Sequence, residues 1–349
     1  MRRLLITGGA GFIGANFVDY WLREHAGDRV VVLDALTYAG NRANLAASTG
    51  RSEFRFVQGD IRDSALVAKL LREELLDTVV HFAAESHVDR SIREPRVCID
   101  TNVLGTHSLL EAARKVWLEE RVVARHRFHQ VSTDEVFGSL SPHERAHERT
   151  PYAPNSPYSA AKAAADHLVR AYHQTYGLEV TTTHCCNNYG AYHFPEKLIP
   201  LTIVNILLGR PVPVYGDGRN VRSWLHVSDH CRALQLVLEK GAAGDTYSLG
   251  GDAELQNIQL IQLLCSIAEE MFVARPELRM AYPGSPCSRG ERAADLIRFV
   301  ADRPGHDRRY AVDCGKIERD LGFTPRVTLQ DGLRSAFGWF ADNSAWWSR

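Results

Sequence analysis

Two adjacent acidic residues, Asp134 and Glu135, stand in the stretch VSTDEVFG at residues 131–138, directly after a short β-branched run. Neighbouring carboxylates at the end of a buried strand repel each other and resist desolvation. The pair therefore suggests two carboxyl groups with separate chemical roles. The alternative is a pair of solvated acids in a surface loop.

Tyr158 and Lys162 form a second candidate pair, in the helical run PYSAAKAAADHLVRAYHQ. They are four residues apart on one helical face, and an ammonium favours a nearby phenolate, so we expect the pKa of Tyr158 to fall towards neutrality. Such a tyrosine can remove a hydroxyl proton while a hydride leaves the same carbon. Thr133, which ends the fifth predicted strand, can offer a hydroxyl to the same oxygen. YxxxK alone is a weak signal, because tyrosine packs over a lysine stem in many helices.

The glycine-rich stretch ITGGAGFIG follows the first predicted strand. Gly8, Gly11 and Gly14 give a GxxGxxG spacing, which lets the backbone turn tightly and approach a pyrophosphate. The helix that begins near Phe12 and Ile13 supplies free N–H groups and the positive end of its dipole. We predict a dinucleotide-binding turn here.

The nature of the dinucleotide is indicated by Asp34, which ends the second predicted strand 20 residues after Gly14. A carboxylate at this place accepts bonds from an adenosine ribose and disfavours a 2′-phosphate, so NAD is favoured over NADP. Asp60 and Ile61, at the end of the third strand, are candidates for adenine contacts. The alternative is a glycine turn followed by a surface aspartate.

These residues belong to a region, up to residue 135, in which predicted strands and helices alternate. The strand candidates are residues 3–8, 29–36, 54–60, 78–84 and 126–133, and the clearest helices are 65–75 and 101–120. Continuous apolar strands with intervening helices indicate a parallel sheet covered on both faces. The predicted fold class is α/β, a Rossmann-type doubly wound sheet with a smaller α/β lobe.

The chain pattern changes near residue 190, where prolines and glycines divide the sequence into shorter pieces. We predict a dinucleotide-binding domain over residues 1–190 and a mainly substrate-binding lobe over 191–349, with an approximate boundary and segments that can cross back. The longest apolar run, 198–209, is well short of the ~20 residues that cross a bilayer.

Composition excludes several function classes. The 349 residues are 45% hydrophobic and 24% charged, with a formal net charge of −1, so nothing favours general binding to nucleic acid or an anionic membrane. Seven cysteines occur without a CxxC pair or a metal-like spacing, and we therefore expect no metal site and a reduced, cytoplasmic setting.

Taken together, the motifs resemble those of the extended short-chain dehydrogenase/reductases, and the nucleotide-sugar 4,6-dehydratases in particular. The resemblance covers nearly the whole chain, through GGAGFIGANF, LDALTYAGN, AAESHVDRSI, STDEV, SPYSAAKAAADHLVRAY, CCNNYGAYHFPEKLIPL, PVYGDGRNVRSWLHVSDH and VADRPGHDRRYAVD. It implies oxidation of a sugar at carbon 4, loss of water across carbons 5 and 6, and return of the same hydride to carbon 6. By this resemblance Tyr158 is the base of the oxidation, Glu135 the base of the elimination and Asp134 its acid, with NAD retained throughout.

The resemblance also implies further binding residues. Those expected at the cofactor are Ala35, Leu36, Thr37, Ala83, Ala84, Ser86, Thr101 and Asn188. Those expected at the nucleotide-sugar are Ser86, Thr133, Asn187, Lys197, Leu198, Pro213, Val214, Tyr215, Arg222, Asn257, Arg303 and His306. Ser86 and Thr101 have an alternative role as helix caps, and an isolated basic residue is usually a surface group.

Several alternatives stay open at this point. The expected substrate is dTDP-glucose, with UDP-glucose close behind because thymine and uracil differ by one methyl group, worth ~1 kcal/mol of burial. A UDP-sugar 4-epimerase would use Tyr158 and Lys162 without the acid pair, and a non-catalytic NAD-binding sensor would use neither. Four positions depart from the dehydratase pattern: Phe137, Cys186, Ala191 and Ser223.

Apolar residues on the 101–120 and 158–176 helices extend beyond one core-facing stripe. In the superfamily that the chain resembles, the corresponding helices pair across a two-fold axis as a four-helix bundle. We therefore expect a homodimer.

Overall fold

The computed structural model describes residues 1–251 and 253–348. Its strands are β1 (Arg3–Thr7), β2 (Arg29–Asp34), β3 (Phe54–Gln58), β4 (Thr78–His81), β5 (Arg127–Thr133), β6 (Val180–Cys185), β7 (Asn187–Tyr189), β8 (Val212–Tyr215), β9 (Val221–His226), β10 (Thr246–Leu249), β11 (Ala253–Gln256) and β12 (Ile297–Val300). Its α-helices are α1 (Phe12–Glu24), α2 (Ser64–Glu73), α3 (Val88–Arg93), α4 (Pro95–Cys98), α5 (Thr106–Ala113), α6 (Pro157–Tyr176), α7 (Leu198–Leu208), α8 (Val227–Lys240), α9 (Asn257–Ala274), α10 (Glu277–Ala281), α11 (Gly315–Leu321), α12 (Leu329–Asp342) and α13 (Ser344–Trp347).

The main sheet has seven parallel strands in the order β10-β6-β5-β4-β1-β2-β3. Its central strands are mostly apolar or β-branched and buried over most of their length, as in β2, RVVVLD, which is buried after Arg29, because helices cover both faces. One face packs on α1 and α8, and the other on α2, α5 and α6. The predicted doubly wound α/β class is confirmed.

Element boundaries differ from the prediction in two ways. The second, third and fourth strands end at Asp34, Gln58 and His81, earlier than residues 36, 60 and 84, because the chain there leaves the sheet to line the cavity. The helix predicted over 101–120 is present, but π-helical segments at Ile99–Gly105 and Arg114–Glu119 flank its α-helical centre.

A smaller lobe packs beside the main sheet. It contains the three-stranded sheet β11-β9-β7, the parallel pair β12-β8 and a separate apolar core among α7, α9 and α12. Helix α9 is long and apolar enough, by length and composition, to cross a membrane. Its residues Leu260, Ile261, Leu264 and Phe272 are instead buried in this core, where α9 contacts α7 and α12.

The chain passes repeatedly between the two cores. After β9 it returns to the main sheet, where α8 packs on α1 and β10 pairs with β6. After β12 it returns again, and Ile317 and Leu321 of α11 join the main core before α12 enters the smaller one. The site described below lies where these two parts meet.

Candidate active site

A cavity of about 700 Å³ lies at the carboxyl ends of the main-sheet strands, beside the smaller lobe. Its walls include residues that follow β1, β2, β3, β4 and β5, as well as residues of β8, β9 and the start of α9. In open α/β sheets this edge is where ligands bind, because the connecting loops leave a crevice there.

The glycine turn forms the floor of one end of the cavity. Gly8 has φ +69°, and a Cβ added there would lie 2.6 Å from the backbone nitrogen of Ala83, so this position requires glycine. A Cβ on Gly11 would meet only the Gly8 oxygen at 3.3 Å, and no side chain caps the start of α1. The first N–H groups of α1, near Phe12 and Ile13, are thus available to an anion.

Asp34 closes the adjoining side of the same end. Its two carboxylate oxygens accept hydrogen bonds from the backbone N–H groups of Ala10 at 2.9 Å and Leu36 at 2.8 Å. Burial raises the pKa of Asp34, and these two hydrogen bonds oppose the rise. Each carboxylate oxygen has a second lone pair, so the group can still accept a bond from a ribose hydroxyl. The turn and Asp34 together fit a dinucleotide.

The acid pair lies in a short 3₁₀ helix, Asp134–Phe137, at the end of β5. Thr133 caps it: its hydroxyl accepts from the backbone N–H of Glu135 at 3.2 Å and lies 3.4 Å from Oδ1 of Asp134. Oδ2 of Asp134 is buried and has no hydrogen-bond partner among the described residues. An unpaired buried oxygen that borders a cavity is an open position for a ligand group.

The two acids have different electrostatic surroundings. Burial, followed by the charge of Glu135, raises the pKa of Asp134 to about 8, so its carboxyl holds a proton at neutral pH. Burial also raises the pKa of Glu135, but Lys197, Arg222 and Arg303 oppose that rise. One carboxyl can therefore serve as a proton donor beside another that favours accepting a proton.

Tyr158 and Lys162 lie on α6 across from the acids, and both are buried. The Lys162 ammonium donates to the carbonyl of Val131 at 2.6 Å. Burial, followed by the charge of Glu135, raises the pKa of Tyr158 well above its usual value, and a hydrogen bond with Thr133 opposes this rise. The prediction that the pKa of Tyr158 is lowered is therefore wrong. It considered the ammonium alone and omitted burial and the neighbouring carboxylates.

Four basic residues border the other end of the cavity. Lys197 donates to the Ser86 carbonyl at 2.7 Å, and the guanidinium of Arg222 lies 4.1 Å from the Tyr310 ring centroid. Arg303 binds the Asp89 carboxylate at 3.2 Å, and His306 lies 2.6 Å from Asp302. Asn187 and Asn257 line the same end, and their side-chain oxygens have no partner within the described part of the chain.

The structure brings most of the predicted site residues to this one cavity. Those on its walls are Gly8, Gly11, Phe12, Ile13, Gly14, Asp34, Ala35, Thr37, Asp60, Ile61, Ala83, Ala84, Ser86, Thr101, Thr133, Asp134, Glu135, Tyr158, Lys162, Asn187, Asn188, Lys197, Leu198, Pro213, Tyr215, Arg222, Asn257, Arg303 and His306.

Val214 and Leu36 are the exceptions. Successive residues of a strand face opposite sides, and on β8 Pro213 and Tyr215 border the cavity while Val214 is 1% exposed in the smaller core. Leu36 has φ +53° and packs against the main core instead. Neither side chain borders the cavity, so the expected roles of Leu36 at the cofactor and Val214 at the nucleotide-sugar stay predictions.

Sequence reasoning missed several residues that border the cavity. Asp89 binds Arg303 and, at 3.4 Å, the hydroxyl of Tyr215, and Glu196 pairs with Arg90 at 3.1 Å. The imidazole of His193 stacks on Phe12 with ring centroids 4.3 Å apart. These residues stand inside stretches that match the family, but no short motif marks them.

Of the four positions that depart from the family pattern, Phe137, Ala191 and Ser223 do not border the cavity. Phe137 is buried with its ring near Tyr152 and His184 and does not border the cavity. Ser223 is buried beside Gly250, whereas Cys186 does border the cavity. Ala191 contributes its carbonyl to Asn16 of α1 at 3.0 Å.

Comparison with known proteins agrees with this arrangement. Residues 5–336 match the model of a family described as GDP-mannose 4,6 dehydratase. The chain belongs to this nucleotide-sugar dehydratase family. The resemblance drawn from the sequence motifs is thereby confirmed.

Individual members of the family are similar over nearly the whole chain. A dTDP-glucose 4,6-dehydratase of Xanthomonas campestris pv. campestris (strain B100) is 52% identical over 348 residues, covering 99% of this chain and 95% of the relative. A crystal structure of the Streptomyces venezuelae dTDP-glucose 4,6-dehydratase, solved with NAD and TYD bound, is 48% identical with a TM-score of 0.86, covering 99% of this chain and 98% of that one. The Bacillus anthracis str. Ames dTDP-glucose 4,6-dehydratase, solved with NAD, is 40% identical with a TM-score of 0.86, covering 100% and 99%.

Proposed function

We propose that the protein is an NAD-dependent dTDP-glucose 4,6-dehydratase, a hydro-lyase that makes dTDP-4-keto-6-deoxyglucose. The observation that carries the proposal is the acid pair at the cavity, Asp134 beside Glu135, next to Tyr158 and Lys162. A UDP-sugar 4-epimerase needs no such acid pair, and a non-catalytic sensor needs none of these four residues. Relatives named for this reaction support the same assignment.

NAD fits one end of the cavity, as the uncapped start of α1 and the free lone pairs of Asp34 indicate. Gly8, Gly11 and the N–H groups of α1 would hold its pyrophosphate, and Asp34 its adenosine ribose. Asn188, whose side-chain oxygen has no partner among the described residues, would meet the nicotinamide end. The chemistry that NAD supplies when bound is reversible hydride transfer.

In the oxidation step, Tyr158 and Thr133 would hold the 4-hydroxyl of the glucose, and Tyr158 would take its proton. The Thr133 hydrogen bond favours the phenolate, whereas burial and the charge of Glu135 oppose it; an ammonium such as that of Lys162 would favour it. Thr133 thereby serves two neighbouring parts of the site, since it also caps the segment that bears the acids.

In the elimination step, the 4-ketone makes the proton on carbon 5 acidic, and Glu135 would remove it. Asp134 holds a proton at neutral pH, so it can give that proton to the departing 6-hydroxyl, which leaves as water. The carbon–oxygen bond at carbon 6 and the carbon–hydrogen bond at carbon 5 are broken, and a double bond forms between carbons 5 and 6. Return of the hydride to carbon 6, with return of a proton from Glu135 to carbon 5, then yields the deoxy sugar.

The nucleoside diphosphate would occupy the basic end of the cavity. Lys197, Arg222 and Arg303 offer ammonium and guanidinium donors to the phosphate oxygens, with His306 beside them. In this proposal residues 1–190 form the NAD-binding part, and residues 191–349 form mainly the part that binds the sugar nucleotide. UDP-glucose stays as the second candidate substrate, because one buried methyl group on the base is worth only ~1 kcal/mol.

The proposal includes a homodimer in the cytoplasm. Ile99 and Leu104, on the helical segment before α5, and Tyr176 at the end of α6 are each about half exposed, which suits pairing of these helices across a two-fold axis. All seven cysteines are free thiols, as suits a reducing compartment.

The deciding experiment incubates the protein and NAD separately with dTDP-glucose and UDP-glucose in deuterated water. The expected product is a 4-keto-6-deoxy sugar nucleotide that carries solvent deuterium at carbon 5, formed faster from dTDP-glucose. The double variant Asp134→Asn/Glu135→Gln should stop this reaction. An active 4-epimerase in the double variant, or no keto sugar from either nucleotide with the unaltered protein, would refute the proposal.

A further inference from the structure

A buried carboxylate, Asp166, lies one helical turn beyond Lys162 on α6, outside the cavity wall. Its Oδ2 accepts from the Ser132 hydroxyl at 2.5 Å and lies 3.3 Å from both the Tyr152 hydroxyl and Nε2 of His184. Its Oδ1 accepts from the Gln130 amide at 3.4 Å. Four polar side chains from three parts of the chain therefore fix this carboxylate in place.

Lys162 needs a negative charge nearby, because its ammonium is buried and its one hydrogen bond given by the structure goes to an uncharged carbonyl, that of Val131. Burial lowers the pKa of Lys162, and the charge of Asp166 raises it. Val131 is next in the chain to Ser132, so the acceptor of Lys162 and the donor to Asp166 are held on the same stretch of β5.

We propose that Asp166 is a positioning residue that keeps Lys162 charged beneath Tyr158, an inference that rests on the proposed function. The geometry that supports it is a helical spacing of four residues, burial of both side chains, and anchoring of both to neighbouring residues of β5. The effective motif is then YxxxKxxxD rather than YxxxK.

The other ionisable groups around Lys162 do not replace Asp166. His81 on β4 is bound to the hydroxyls of Thr7 and, from the neighbouring helix, Thr106. Burial and Lys162 lower the pKa of His81 to about 3, so it stays neutral. Tyr158 on the same helix, Asp134 and Glu135 after β5, and His184 on β6, which lies 3.3 Å from Asp166, are also near, but the charge that raises the pKa of Lys162 is that of Asp166.

The test compares Asp166→Asn with Tyr152→Phe, which removes one hydrogen bond to Asp166 but keeps its charge. The first readout is the pH titration of the Lys162 ¹³Cε resonance in lysine-labelled protein without substrate, assigned through its loss in Lys162→Arg. The midpoint should fall by about one pH unit or more in Asp166→Asn and stay within a few tenths in Tyr152→Phe. Asp166→Glu, which restores the charge, should bring the Lys162 midpoint most of the way back to its value in the unaltered protein.

The second readout is the pH profile of keto-sugar formation. Asp166→Asn should lower kcat at neutral pH by about tenfold or more and move the alkaline limb to lower pH, since Lys162 loses its proton earlier. A residue with a merely structural role would lower kcat equally at every pH and leave the limbs in place.

The proposal is overturned if folded Asp166→Asn has an unchanged Lys162 midpoint, or if Asp166→Asn and Asp166→Ser both fail to fold, since the carboxylate would then serve the fold. Failure of the proposed function is a separate result: the unaltered protein would form no keto sugar, while the Lys162 titration would still report on Asp166.

Discussion

The indole N–H of Trp346 donates a hydrogen bond to the side-chain oxygen of Asn44 at 2.6 Å. Asn44 is buried, and its amide nitrogen donates to the carbonyl of Ala10 in the glycine turn at 2.9 Å. The N–H of Ala10 in turn donates to Asp34. A residue packed against the core of the smaller lobe thus supports the turn proposed to hold the pyrophosphate.

Trp346→Phe should weaken both the fold and NAD binding. The change leaves the buried Asn44 oxygen without its donor, which costs about 1–3 kcal/mol. A glycine turn that is less well fixed also binds its ligand more weakly, because ordering the turn on binding then costs more free energy. Thermal unfolding with and without NAD measures both effects. Trp347→Phe is the matched control, because that indole donates to Phe340 within α12. Equal NAD stabilisation in the two variants would contradict the prediction.

Activity should fall as the pH rises through about 8, because Asp134 can donate a proton only while protonated and its pKa is raised to about that value. In Asp134→Asn the residual activity should lack the fall near pH 8, so that only the loss of the Lys162 proton limits it at alkaline pH. Keto-sugar formation measured from pH 6 to pH 10 tests this expectation. An alkaline limb that persists unchanged in Asp134→Asn would assign the limb to another group.

Glu135→Gln should lower turnover by roughly 10²–10⁴, the usual contribution of a positioned general base. Solvent deuterium should disappear from carbon 5 of recovered sugar nucleotide at the same time, since no base remains to exchange that proton. Mass spectrometry of product and unreacted substrate measures both results. Deuterium at carbon 5 at the rate seen in the unaltered protein would show that another residue is the base.

Arg222→Lys should raise KM for the sugar nucleotide by about tenfold and change kcat less, because a lysine cannot reproduce the planar guanidinium that stacks on Tyr310 and donates to the Asp307 carbonyl at 2.9 Å. Arg308→Lys is the control, since Arg308 pairs with Asp217 at the surface and should alter KM little. Steady-state kinetics with dTDP-glucose compares the two. Equal KM values would place the diphosphate elsewhere.

Leu104→Glu should convert the proposed dimer into monomers at micromolar concentration, because it puts a charge into a face that pairing would desolvate. Leu104 is 52% exposed in the single chain. Met280→Glu, at a site 88% exposed on the smaller lobe, controls for an added charge. Light scattering gives the mass of each variant. A monomeric mass for the unaltered protein would count against the dimer itself.

The features that the sequence predicted correctly are those written in local spacing. Continuous apolar runs predicted five of the seven strands of the main sheet, all but β6 and β10, and the glycine spacing predicted the turn at Gly8 and Gly11. The end of a parallel strand is also a predictable place, and this is why Thr133 and the two acids after it border the cavity.

The features that could not be predicted depend on contacts between distant parts of the chain. Asp89 binds Arg303, which lies 214 positions away in the sequence, and no sequence motif predicts such a pair. The direction in which Val214 faces depends on the register of a four-residue strand, where a shift of one position exchanges core and cavity. The pKa of Tyr158 depends on burial and on carboxylates that the sequence places more than 20 residues away.

The position of β10 at the edge of the main sheet bears on how such proteins can be recombined. A fragment that stops at residue 190 would lack this strand and α8, exposing the unpaired edge of β6 and the surface of α1 that α8 covers. Exchanging the sugar-nucleotide half between relatives therefore requires several coordinated junctions. Chimeras that keep β10 and α11 with the parent sheet should be the ones recovered in folded form.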